Sequence, residues 1–224
     1  LMLIIVGFFG FLGGCIIYVT GDQWINIYAQ PATLSAFAFN TLMSFAGGII
    51  GCFLMTRDPF WMMSGGLAGI ISAAAGLDVY HPGLAFLIGF VGGCIIPKIQ
   101  AALVKLKIDD AVAAFAVHAG SGTWSLIAAG IFAAGYPSPG GPESSMTGQL
   151  VGLATFAALG FIPGYIVSFV LKKFNLLRIS PGAELAGLDL VEIPLKPYPE
   201  GLTPATNGNG KAGAGGVPAP MPAE

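Results

Sequence analysis

Long apolar runs separated by short polar breaks set the pattern of this chain. Crossing about 30 Å of hydrocarbon takes roughly 20 apolar residues in a helix, and six stretches meet or approach that length: 1–20, 33–56, 60–78, 83–104, 109–135 and 148–172. Arg57, Asp58 and Pro59 end the second, and Lys172 and Lys173 end the sixth. Asp109 and Asp110 open the fifth, where acidic residues favour a helix N-terminus. The runs are continuously apolar, whereas strands of a membrane barrel alternate over about ten residues. The pattern predicts an all-α, polytopic membrane protein of about six transmembrane helices. Residues 1–172 would form the transmembrane domain and 173–200 a juxtamembrane tail. Residues 201–224 are Gly/Ala/Pro-rich and bring too little apolar surface to fold alone, so a partner is expected beside them.

Composition sharpens this picture. Of 224 residues, 55% are hydrophobic and only 9% are charged, against about 25% charged in a soluble domain. The net charge of −2 gives no reason to expect nucleic-acid binding. The 34 glycines suit the close helix contacts of membrane bundles. Leu1 enters the apolar run with no charged segment before it, so the start does not read as a signal peptide, and a processed or truncated end is expected.

The basic residues fix an orientation. With six spans, Arg57, Lys98, Lys105, Lys107, Lys172, Lys173, Arg178, Lys196 and Lys211 all fall on one side, and loops 21–32, 79–82 and 136–147 contain none. The positive-inside rule makes that side the cytoplasm. The expectation is an integral protein of the plasma or cytoplasmic membrane with a cytoplasmic C-terminus.

Few residues could carry chemistry. His118 lies nine residues beyond Asp109, which puts it about 13.5 Å into a helix starting there and near the bilayer midplane. An ionisable group at that depth needs a pore or a polar partner; the alternative is a neutral imidazole bonded to a neighbouring helix. His81, in a His-Pro-Gly turn, reads as a solvated loop residue, and Trp124 as packing. Asp78 could attract cations or bond locally. Cys15, Cys52 and Cys94 read as small apolar packing residues without metal-ligand spacing. No paired carboxylates, nucleophile with base, phosphate loop or dinucleotide fingerprint is present, so neither an enzyme nor a cofactor is expected.

Four stretches resemble the ammonium transporter (Amt/Mep/Rh) family. GFFGFLGGC at 7–15 is similar to the family's GWFGFNAGS, and AFNT at 38–41 to an asparagine–threonine pair. DDAVAAFAVHAGSG at 109–122 and GIFA at 130–133 resemble DDxxDVFGVHGVGG and GIFA, and LRISPGAELAGLDL at 177–190 resembles LRVSPEEExEGLDL. The family fold has two inverted halves of five helices plus a last long helix, assembles as a trimer, and passes ammonia between the halves. The resemblance covers helices six to eleven, the second half. It implies that His118 is one of a pair of pore histidines, that Phe11 gates the outer mouth with Phe115 near the path, and that Cys15 stands where a serine recruits the cation. Several positions depart from the pattern: Ala113 replaces an aspartate, Leu12 an asparagine, Phe8 a tryptophan, and Ala116 and Ala119 glycines.

Two functions follow from the resemblance. One is half of an ammonium/ammonia channel whose complementary N-terminal half comes from elsewhere. The other is a transport-inactive relative that serves as a structural or accessory subunit among other membrane subunits.

Overall fold

The structure is a computed structural model, and it describes residues 2–19, 23–26, 31–137, 142–186 and 191. The chain divides into two compact units, Leu1–Leu159 and Gly160–Glu224.

The first unit opens with helix α1 (Met2–Gly13). Gly13 and Gly14 let the chain unwind: the bonds tighten from Gly14 N–H to Gly10 O, at 3.0 Å, to Cys15 N–H to Leu12 O, also 3.0 Å. A small antiparallel sheet follows, with β1 (Ile17–Val19), β2 (Gln23–Ile25) and β3 (Pro31–Ala32) in the order β1-β2-β3. Its register pairs Tyr18 with Trp24 and Trp24 with Ala32. This corrects the expected helix over 1–20: twelve helical residues rise only about 18 Å, and part of the expected loop is strand.

Helix α2 (Leu34–Thr56) starts at Thr33, whose Oγ1 accepts from Ala36 N–H at 3.2 Å. It ends at Arg57, which turns left-handed at φ 57°. Pro59 opens helix α3 (Pro59–Ala73), a position where a missing N–H costs nothing, and a 3₁₀ turn over Ala74–Gly76 extends it. His81 caps helix α4 (Pro82–Lys105): its Nδ1 accepts from Gly83 N–H at 3.3 Å, and Pro82 follows at the first helical position. The histidine read as a solvated loop residue is therefore exposed but also a cap. At the far end, Lys107 N–H bonds Val104 O and Ile108 N–H bonds Leu103 O, both at 3.0 Å, with Lys107 at φ 58°. These two bonds make a Schellman stop.

Helix α2 packs against α3 and α4. Backbones meet there because glycines face each other. A Cβ on Gly48 would strike the Gly65 carbonyl and Gly69, and one on Gly51 the Phe90 carbonyl. Such contacts let dispersion act where lipid supplies no hydrophobic drive. Asn40 ties α2 to the turn before α4, its Nδ2 donating to Leu77 O and Tyr80 O at 2.8 Å each. Two apolar clusters form the core, one around Ile70, Leu77 and Ile88, the other around Cys52, Ile96 and Ala116. Phe8 of α1 packs against both.

The expected helix over 109–135 starts later. A π-helical turn spans Phe115–Gly120 and runs into α5 (Ser121–Phe132). Residues 109–113 are not helical, so the depth counted from Asp109 does not hold. Helix α6 (Met146–Lys173) has 28 residues and buries none of them.

Four helical stretches are long and apolar enough to cross a membrane: Leu34–Thr56, Pro82–Lys105, Phe115–Phe132 and Met146–Lys173. Leu3–Gly13 and Trp61–Gly76 are apolar but shorter than a full span. The chain is an all-α polytopic integral membrane protein, and the small sheet is its one sheet among the described residues.

In the second unit α6 ends on another Schellman stop. Asn175 N–H bonds Lys172 O at 3.2 Å and Leu176 N–H bonds Leu171 O at 2.9 Å, with Asn175 at φ 55°. Helix α7 (Pro181–Ala186) begins after Ser180, whose Oγ accepts from Ala183 N–H at 3.3 Å, and Arg178 pairs with Glu184. The GLDL stretch at 187–190 and the 201–224 tail lie outside the described residues.

Candidate functional site

The π-turn is built from its start upward. Asp110 closes a turn, Ala113 N–H donating to Asp110 O at 2.9 Å, and Ala113 takes φ 56°. The chain then reverses into the helix. Asp110 Oδ2 accepts from Phe115 N–H at 3.0 Å and Ala116 N–H at 3.3 Å, taking up two amides that a helix start leaves free. Gln100 of α4 holds the same residue from behind, its Nε2 donating to Asp110 O at 2.9 Å. Ala113, Ala116 and Val117 are buried in the second cluster.

His118 stands on the exposed side of this turn. Its carbonyl accepts from Ser121 N–H where the π-turn gives way to α5, and its ring makes no hydrogen bond among the described residues. Phe115, on the same turn, is 56% exposed. Wide turns of this kind insert one extra residue and occur at functional sites.

Phe115 also lines an open groove of about 410 Å³ between α4, the π-turn and α5, together with Ile95, Ile99, Thr123, Trp124 and Ile127. Its walls are almost wholly apolar. Trp124 fixes one wall, its Nε1 donating to Ile88 O at 3.0 Å. Ser125 fixes α5 to the 3₁₀ turn by accepting from Ala75 N–H at 3.0 Å.

Phe11 and Cys15 sit together on α1 and just beyond it. Phe11 is 68% exposed and lies edge-on to Phe8, with ring centroids 5.8 Å apart. Cys15 is exposed, its thiol 3.7 Å from Phe11 O. The four residues singled out from the sequence thus form two pairs, Phe11 with Cys15 and Phe115 with His118. All four are exposed, and no hydrogen bond or ring contact joins the pairs among the described residues. Phe8, packed against both core clusters, is the link between α1 and the element that carries His118.

Asp78 lies in the turn before α4, outside the membrane-length helices. Burial pushes its carboxyl above 3.8, opposed by hydrogen bonds from the backbone and from the Asn26 side chain. Among the described residues, no three His, Cys, Asp or Glu gather as metal ligands would.

Sequence reading singled out His118 but did not predict the contacts of Asp110 and Gln100 beneath it. Asp110 reads as a helix opener, yet it reaches amides five and six residues ahead, outside the usual cap spacing. Gln100 carries no sequence signal.

Residues 1–198 match the model of the Ammonium Transporter Family. The chain is 35% identical over 174 residues to the ammonium transporter Amt1 of Methanocaldococcus jannaschii, covering 77% of this chain and 44% of that protein. It is 31% identical over 211 residues to the ammonium transporter Amt2 of Archaeoglobus fulgidus, covering 86% and 43%. An ammonium transporter of Bacillus subtilis is 28% identical over 211 residues, covering 86% and 52%. The chain therefore spans about half the length of the curated relatives it matches, or somewhat less. With a family match that takes in almost all of its transmembrane and juxtamembrane sequence, the chain belongs to the Ammonium Transporter Family.

Proposed function

We propose that this chain supplies one half of a transmembrane path for ammonium or ammonia, with a complementary N-terminal half provided by another segment or chain. The observation that carries the reading is His118: in a member of this family, it is exposed on a π-turn beside an apolar groove, and its ring makes no hydrogen bond among the described residues. A neutral imidazole carries one nitrogen that accepts a hydrogen bond or a proton from an ammonium ion. An apolar lining then favours the neutral amine, because the ion loses its hydration there. Phe115 and Phe11 would narrow the path, and Cys15 would stand at its mouth. The basic residues support a cytoplasmic C-terminus in a plasma or cytoplasmic membrane.

A second reading, a transport-inactive structural subunit of a larger membrane complex, has its own support. Cys15 stands where the resembling pattern has a serine, and a thiol is a weak hydrogen-bond partner for a cation's N–H groups. Helix α6 buries none of its residues, which leaves apolar surface for neighbours.

The test is methylammonium uptake in transport-deficient cells that express this chain with the first half of a relative. Uptake is expected, and His118→Ala should cut it roughly a hundredfold, the scale of a lost proton-transfer group. Uptake that survives His118→Ala overturns the role of that residue. No uptake from any pairing overturns the channel reading in favour of the structural one.

A further inference from the structure

The π-turn that carries His118 is not held by a run of helix before it, since residues 109–113 are irregular. Two groups take over that work. The Asp110 carboxylate accepts from Phe115 and Ala116 N–H, and the Gln100 amide donates to Asp110 O from α4. Gln100 sits in a helix that is itself locked to α2 through facing glycines. A continuous hydrogen-bonded chain thus runs from the rigid core, through Gln100 and Asp110, to the first two residues of the turn. His118 lies three residues beyond Phe115, less than one turn from the fixed amides.

We propose that Asp110 and Gln100 are positioning residues that set the place and orientation in which the π-turn presents His118. Ala113 makes this necessary. Its left-handed backbone, φ 56°, is uphill for any residue with a Cβ, so the turn would relax toward ordinary helix without a restraint. A relaxed turn of 3.6 residues would rotate His118 away from the direction a wider turn gives it. The relevance to transport rests on the reading of His118 given above, but the positioning itself does not.

The chain has two histidines, which makes the test direct. The full chain, labelled with ¹⁵N on histidine and reconstituted in lipid nanodiscs, should give two sets of ring signals. His81, at the start of α4, serves as the internal reference. Asp110→Ala should move the His118 signals and leave those of His81 in place. It should also speed amide exchange at Phe115 and Ala116 roughly tenfold, the scale of a lost capping interaction. Asp110→Asn keeps an oxygen acceptor and should restore both readouts. Gln100→Leu, a milder change, should move the His118 signals in the same direction by less, and it carries the test if Asp110→Ala does not fold. His118 signals that stay put in both variants, or that move only together with those of His81, overturn the proposal. Uptake measured on the same variants separates the two readings. Shifted signals with no uptake by the parent chain in any pairing with the first half of a relative overturn transport alone, and uptake with unmoved signals overturns positioning alone.

Discussion

At Asp78 the carboxyl sits in the turn before α4, partly withdrawn from water, with Asn26 as its side-chain partner. Burial outweighs that hydrogen bond, and the folded pKa lies above 3.8. The folded state therefore holds the proton to higher pH than the unfolded chain does. The favourable contribution is complete below 3.8 and is lost as pH rises through the folded value. Asp78→Asn cannot ionise. Its melting temperature in detergent should rise relative to the parent as pH climbs from 3.8 to neutrality, with the difference flat beyond the folded pKa. A difference that does not change with pH would refute this. Asp110 plays a different part: its carboxylate accepts from two backbone N–H groups, and its work is structural.

The helices end by two versions of one device, and they differ in fitness. Both α4 and α6 close with a Schellman pair of bonds around a left-handed residue, Lys107 in one and Asn175 in the other. Asparagine tolerates that conformation, whereas lysine meets the full Cβ clash. Lys107 is exposed, so no packing is lost when its side chain is removed. Lys107→Gly should stabilise the protein by about 1 kcal/mol, and Asn175→Gly by less; chemical unfolding in mixed micelles reads both. An equal response at the two sites would mean that the clash is relieved some other way. The stops also explain what sequence could reveal. Helices α2 and α4 were legible because their boundaries are written locally, in the Arg57-Asp58-Pro59 break and the His-Pro-Gly turn, although the caps made by Thr33 and His81 were not read. The ends of α1 and the start at Asp109 were not. Gly13 and Gly14 sit inside an apolar run that hides the stop, and the strands after them pair through residues beyond the run. The π-turn depends on Gln100, which lies ten residues before Asp110 and on another helix, so no local pattern announces it.

At the scale of the whole chain, the two functional readings differ in where water reaches. Four residues tied to the path by resemblance are exposed on this chain, and the assembly decides what covers them. A conducting half needs a wet mouth above its narrow apolar section, and Cys15 would stand in it. A structural subunit would press the same surface against lipid or a neighbour. Thiols react with polar reagents as thiolates, which form only where water is present. Cys52 is fully buried and provides an unreactive reference, and Cys94, half-buried against Gly51 O, can be replaced by alanine to simplify the readout. In intact cells carrying the assembled protein, a membrane-impermeant thiol reagent should therefore label Cys15 and not Cys52. The label should also slow methylammonium uptake, because it would sit beside Phe11. The side of entry matters as well: Cys15 precedes the first basic residue by a full helix, so the positive-inside argument predicts that the reagent acts from outside. Labelling of Cys15 only after detergent extraction would place that surface in a dry contact and decide for the structural subunit. Labelling in cells without any effect on uptake would leave Cys15 at a wet surface but move the path away from it, and the role assigned to the Phe11 and Cys15 pair would have to be given up.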